Sequence, residues 1–190
     1  MSTATNVSVG KPKIGGAIYV APAGTNLPTD ATTALANTFT SLGYVSEDGV
    51  KNSLTQESDA YKAWGGDSVL ALMGGKEDTF KLTLIESLNV DVLKTVFGAS
   101  NVTGTLSTGI AVSVNNAAAV SMVWVIEMVL RDNAVKRIVI PSGAVYELGD
   151  IVYRDDTPVG YELTVLASPN TSGVSHYEYI KRPTTTTGST

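Results

Sequence analysis

Cysteine is absent from the 190 residues, which excludes disulfides, thiol catalysis and cysteine-based metal sites. There is one histidine, His176, so a zinc motif needing two histidines is excluded as well. Charge is scarce. Only 16 % of residues are Asp, Glu, Lys or Arg, so Ser, Thr, Asn and Gly must supply much of the polar surface. No apolar run approaches the ~18 residues of a transmembrane helix. The opening MSTATNVSVGKPK has no basic start leading into an apolar stretch, so no secretory signal is expected. Basic residues are outnumbered by acidic ones, 13 to 18, for a net charge of −5. Affinity for nucleic acid comes mostly from neutralising phosphates, so this balance argues against a nucleic-acid binder. A surface past which nucleic acid slides without sticking is still allowed.

What is present is mostly β patterning. Hydrophobic residues make up 43 % of the chain, enough for the core of one domain. Residues 1–14 read as an extended arm, 15–181 as one β domain, and 182–190 (RPTTTTGST) as a low-complexity, flexible tail. Gly16 to Ala21 and Thr38 to Ser46 read as strands, with a helical turn or two expected over Thr29 to Asn37 capped by Thr29 or Asp30. Glu47-Asp48-Gly49 reads as a turn. Val50 to Glu57 keeps β-forming residues but almost no apolar face, as if both of its faces met water or a partner chain. Ser58 to Gly66 has no clear period. Asp67 to Met73 is apolar, and Gly74-Gly75 reads as a tight turn.

Glu77 to Glu86 alternates most clearly, with Phe80, Leu82 and Leu84 on one side. Leu88 to Gly98 reads as a helix over about 89–97. Asn89 is its N-cap, Gly98 its stop, Val90, Leu93, Val96 and Phe97 its buried face, and Leu88 a staple onto Leu93. Ala119 to Arg131 is apolar on both faces and predicts a central strand, followed by a hairpin turn at Asp132-Asn133. Val135 to Ile140 should return and stop at Pro141. Ala144 to Arg154, with a bulge at Gly149, then Gly160 to Ser168 and Val174 to Ile180 complete the strands. Short strands separated by regular turn signals point to a mainly β fold, a sandwich or barrel with one flanking helix and extended terminal arms.

Chemistry is hard to place. The acidic pairs Glu47-Asp48, Glu77-Asp78 and Asp155-Asp156 fall at turns or strand starts and read as solvated. His176 reads as a surface or interface residue. No phosphate loop, calcium loop or serine elbow is present, so no cofactor or metal is expected. Trp124 reads as core. Trp64, in a Gly-rich stretch beside Tyr61 and Lys62, reads as an interface anchor. An enzyme using paired carboxylates would need a cleft that nothing here forms.

Six segments in order resemble the tail tube (major tail) proteins of long-tailed siphophages, closest to those of actinobacteria. They are KPKIGGAIYVAPAGTNLPTDATTAL (Lys11 to Leu35), LGYVSEDGV (Leu42 to Val50), KAWGGD (Lys62 to Asp67), FKLTLIESLNVDVLKTVFG (Phe80 to Gly98), KRIVIP (Lys136 to Pro141) and GYELTVLASPN (Gly160 to Asn170). The resemblance spans about residues 11–182. It implies a structural, non-enzymatic virion protein made in the host cytoplasm. Hexameric rings would stack head-to-tail into a hollow, non-contractile tail tube. One sheet from each subunit would join a continuous inner barrel around the tape measure protein and, later, double-stranded DNA, which passes without specific binding. Tail tip and tail terminator proteins would be further partners, and no membrane is involved. On this resemblance Ser46 to Gly66 is the stacking loop between rings, with Tyr61 and Trp64 as anchors and Glu57, Asp59, Lys62 and Asp67 as rim charges. Lys51, Glu57, Glu77, Glu147 and Asp150 are the candidate lumen residues, although alternation does not decide which sheet faces inward. The other reading is an Ig-like virion decoration or receptor-binding module.

Overall fold

The computed structural model describes residues 2–13 and 16–182. Eleven strands and one α-helix follow in order: β1 Lys11–Pro12, β2 Ile18–Pro22, β3 Thr40–Ser41, β4 Val45–Lys62, β5 Ser68–Leu84, α1 Val90–Phe97, β6 Val102–Thr105, β7 Gly109–Val112, β8 Met122–Val129, β9 Val135–Leu148, β10 Tyr161–Ala167 and β11 Tyr177–Lys181. Nine of the strands make one antiparallel sheet in the order β3-β2-β8-β9-β10-β5-β4, with β1 beside β8 and β11 beside β9. β6 and β7 form a separate hairpin.

Strand β9 folds this sheet onto itself. Its first half runs between β8 and β11, and its second half pairs with β10. The change of partner falls at Pro141–Gly143, where the β8 register also shifts. Proline was expected to end the strand, but β9 continues through it to Leu148. A proline lacks only its own ladder donor, and the irregularity at this corner is where that donor is not needed. Gly143 is required there because a Cβ would stand 2.7 Å from Trp124 Cδ1. The Trp124 indole Nε1 donates to the Gly143 carbonyl at 3.0 Å, so the largest core side chain is tied to the corner it fills. A second irregularity displaces Tyr146 from the β10 register, so the bulge expected at Gly149 lies three residues earlier.

Folding the sheet brings Trp124, Ile126, Ile138 and Ile140 against Phe80, Leu82, Leu163 and Val165 in a single core. Helix α1 closes one side with Val92 and Leu93 buried and Val90, Val96 and Phe97 packed against the cluster. Its boundaries match the sequence signals. The Asn89 side chain accepts from the Asp91 N–H, and the Gly98 N–H donates to the Lys94 carbonyl. Leu88 is 65 % exposed and does not serve as a staple.

The second face of β8 and β9 is also buried, through Val123, Val125, Val139, Glu127 and Arg137. Glu127 and Arg137 are cross-strand partners, and each is 1 % exposed. Arg137 Nε donates to Glu127 at 2.8 Å, Lys13 Nζ reaches the other carboxylate oxygen at 2.6 Å, and the Arg137 guanidinium also donates to the carbonyls of Asp30 and Thr33. The pair thus holds the segment between β2 and β3 against the sheet. That segment forms no helix. Asp30 instead accepts from the hydroxyl and N–H of Thr33 and the N–H of Thr32, which holds its carboxyl well below the usual carboxylate range.

Two outcomes follow from this packing. Leu93→Ala leaves a cavity under α1 and should cost about 2–5 kcal/mol in a denaturant titration, whereas an unaltered midpoint would show that the helix contributes no core contact. Arg137→Met leaves Glu127 buried with one partner and should cost about 3–5 kcal/mol. A loss below about 1 kcal/mol would mean that the pair is not desolvated as described.

Candidate tube wall and axial hairpin

Four strands carry most of the residues singled out from the sequence. β9 (second half), β10, β5 and β4 lie side by side, and their registers fix which residues share a face. Asn52, Phe80, Val165 and Val145 line up across the four strands on the core side. The row Lys51, Lys81, Thr164 and Glu147 lies on the opposite side. Thr55 pairs with Glu77 and Ser53 with Thr79 on that same side, and Thr83 pairs with Glu162. One sheet half therefore has an apolar inner face and an outer face made of threonine, serine, lysine and glutamate.

Three of the lumen candidates, Lys51, Glu77 and Glu147, stand together on this outer face. Asp150 does not, because it lies past the end of β9 in the connection to β10, where it is exposed. The side chain of Glu57 lies outside the described residues. Two residues of the face were not picked out from sequence. Lys81 Nζ pairs with Glu162 Oε1 at 2.8 Å, and that contact raises the Lys81 pKa above its ordinary value. The alternation of Glu77 to Glu86 and Gly160 to Ser168 already contained both positions. Which residue sits opposite which depended on the strand registers. The face carries three glutamates and two lysines, so it is mixed in sign with a small acidic excess.

The stretch 46–66 was expected to serve as the stacking loop between rings, with a turn at Glu47-Asp48-Gly49, a strand over Val50 to Glu57 and no clear period from Ser58 to Gly66. Instead, β4 runs unbroken from Val45 to Lys62, turns over residues 63–67 and returns as β5. The Glu47-Asp48-Gly49 signal shows as a register break between Val45 and Val50 inside β4, with Gly49 at φ +69°. Gly74-Gly75 is not a tight turn but lies within β5, opposite a register shift at Gln56/Ser58. Two glycines in a strand weaken it without ending it, because pairing with β4 continues on both sides of them. At the tip, Ala63 N donates to the Asp67 carbonyl at 2.8 Å, and Gly65 and Gly66 take φ of +122° and +98°. Tyr61, Lys62 and Asp67 are exposed, and Trp64 is wholly exposed. The Asp59 side chain lies outside the described residues.

A polar cluster marks the place where the hairpin leaves the body. Asp78 was expected to be solvated beside Glu77 but is 1 % exposed. Its Oδ1 accepts from Asn52 Nδ2 at 2.7 Å, and its Oδ2 faces His176 Nδ1 at 2.5 Å. The His176 ring also stands edge-on to Phe80, with centroids 5.2 Å apart. His176 is therefore a bound element of the hairpin root and not a free surface histidine. The signal for it was weak, because Asp78 and His176 are far apart in sequence and only the fold joins them. Among the described residues, no group of three or more His, Asp or Glu is placed to hold a metal ion, and no helix is long and apolar enough to cross a membrane.

No curated protein sequence matches the chain. A family model described as phage tail tube protein matches residues 7–188, nearly the entire length. With an antiparallel sheet folded around one core, one flanking helix and a long two-stranded projection already in place, the chain belongs to the phage tail tube protein family.

Proposed function

We propose that this protein forms hexameric rings that stack into the hollow tube of a long, non-contractile tail, with the polar face of β9-β10-β5-β4 lining the bore. Membership of a structural family makes it a virion component that self-assembles and meets other tail proteins. The observation that carries the finer reading is the outer edge of β4, which has no partner strand among the described residues. A long open edge invites uncontrolled pairing unless something closes it.

Closure between copies satisfies that edge. The four-stranded half has two borders, β4 and the Ala144–Leu148 stretch of β9, so the β4 edge of one subunit can pair with the β9 edge of the next. Six subunits would then supply about 24 strands. At ~4.8 Å per strand the ring would be about 37 Å across, and wider once the strands tilt. Such a bore can hold a tape measure protein and later pass a DNA duplex. Its serine, threonine and mixed charges give phosphates no cationic track to hold them. The β4–β5 hairpin then points along the tube axis. A head-to-tail contact between its tip and the next ring repeats without closing, so it builds a filament.

Electron microscopy of the purified chain across a concentration series, with and without a tail-tip complex, tests this reading. Tubes or six-fold rings with an axial pore are expected, and particles that stay monomeric even with the tip complex would contradict it. Trp64→Ala should leave the melting curve unchanged and shorten or abolish tubes, because the side chain is wholly exposed on its own subunit. Tubes of unchanged length and yield would remove Trp64 from the stacking contact.

A further inference from the structure

The hairpin root carries a groove of about 390 Å³ lined by Leu54, Lys76, Asp78, Pro169, Ser175 and His176. We infer that this groove is the receptor for the hairpin tip of the next copy along the tube, with the Trp64 indole seated in it. The inference rests on the tube reading and adds the second half of the stacking contact.

The groove is built and rigid. Asp78 forms part of its floor and has both carboxylate oxygens engaged, one by Asn52 and one by His176. That contact and the edge of Phe80 fix the imidazole plane from β5, while Asn52 fixes the carboxylate from β4. No described residue fills the space above. Its walls offer apolar surface from Leu54, which is 60 % exposed, and from Pro169, together with the ammonium of Lys76 and an oriented imidazole. Apolar walls with a cation at the rim suit an aromatic ring.

The subunit's own tip cannot be the occupant. Strand pairing holds the tip away from the root, since Thr55 to Lys62 spans about 23 Å at ~3.3 Å per residue. A tip seated in the groove therefore belongs to another molecule. The tip presents a wholly exposed tryptophan, with the exposed carboxylate of Asp67 close by to face Lys76. Tip and groove lie at opposite ends of one hairpin. A shift of about one hairpin length along its axis superposes the tip of one copy on the root of the next, and the same shift repeats indefinitely.

The cysteine-free chain allows a direct test. Ala63→Cys places a thiol beside Trp64, and Ser175→Cys places one in the groove. Tubes of the double variant, oxidised and run without reductant, should give a ladder of dimers, trimers and longer species, because each copy then has one donor and one acceptor. Each single variant should give no species beyond the dimer. Well-formed tubes without a ladder would overturn the groove assignment and leave the tube reading standing. Failure of the unmodified chain to assemble would overturn both. If the double variant does not assemble, the unmodified chain still decides. Trp124 is buried, so Trp64 supplies the solvent-exposed emission. On assembly that emission should shift to shorter wavelength and resist acrylamide quenching, and Trp64 remaining fully quenchable in intact tubes would overturn the inference.

Discussion

Every backbone N–H and C=O of a strand needs a partner, and among the described residues β4 finds a partner strand on one side only. The rest of the molecule follows from this. The body supplies what a domain needs to fold: a folded sheet around Trp124 and Phe80, a helix closing one side, and a buried Glu127–Arg137 pair holding the segment between β2 and β3. The hairpin adds little to that core. Beyond Asn52 and Asp78 its described side chains are exposed on both faces. It is a β ribbon whose order within one subunit comes from its own pairing and from its root.

The root is where the two parts are joined. Asn52, Asp78 and His176 belong to β4, to β5 and to the connection leading into β11, so one polar cluster ties both hairpin strands to the body. A buried carboxylate is costly unless hydrogen-bonded, and here both oxygens are. This arrangement lets the apolar core end at a defined row of residues. Past that row the same two strands continue into solvent.

Much of this was legible in the sequence, and the misses have physical reasons. The alternation of Phe80, Leu82 and Leu84, the doubly apolar run at Val123 to Ile126 and the capped helix at Asn89 declare themselves locally, because each depends on neighbours within a few residues. The weak apolar content of Val50 to Glu57 correctly marked a strand that lends the core little beyond Val50. Gly74-Gly75 and Pro141 misled because local chemistry favours turns and stops there, while long-range pairing with β4 and β8 overrides it. The buried partners Glu127–Arg137 and Asp78–His176 could not be read from spacing, since each pair exists only once distant strands are in register. Of the lumen candidates, Lys51, Glu77 and Glu147 stand on one face, but Lys81 and Glu162 between them became visible only with that register.

The assembly account has one central geometric claim: the polar face of β9-β10-β5-β4 lines the bore, and β4 completes its hydrogen bonding on a neighbouring copy. Electron cryomicroscopy of tubes assembled from the full chain, at a resolution that separates strands, measures both at once. The account predicts a continuous β wall with Lys51, Glu77, Lys81, Glu147 and Glu162 facing the bore and β4 paired across the subunit boundary. A bore lined by β2 and β8, or a β4 edge left unpaired in the tube, would contradict it.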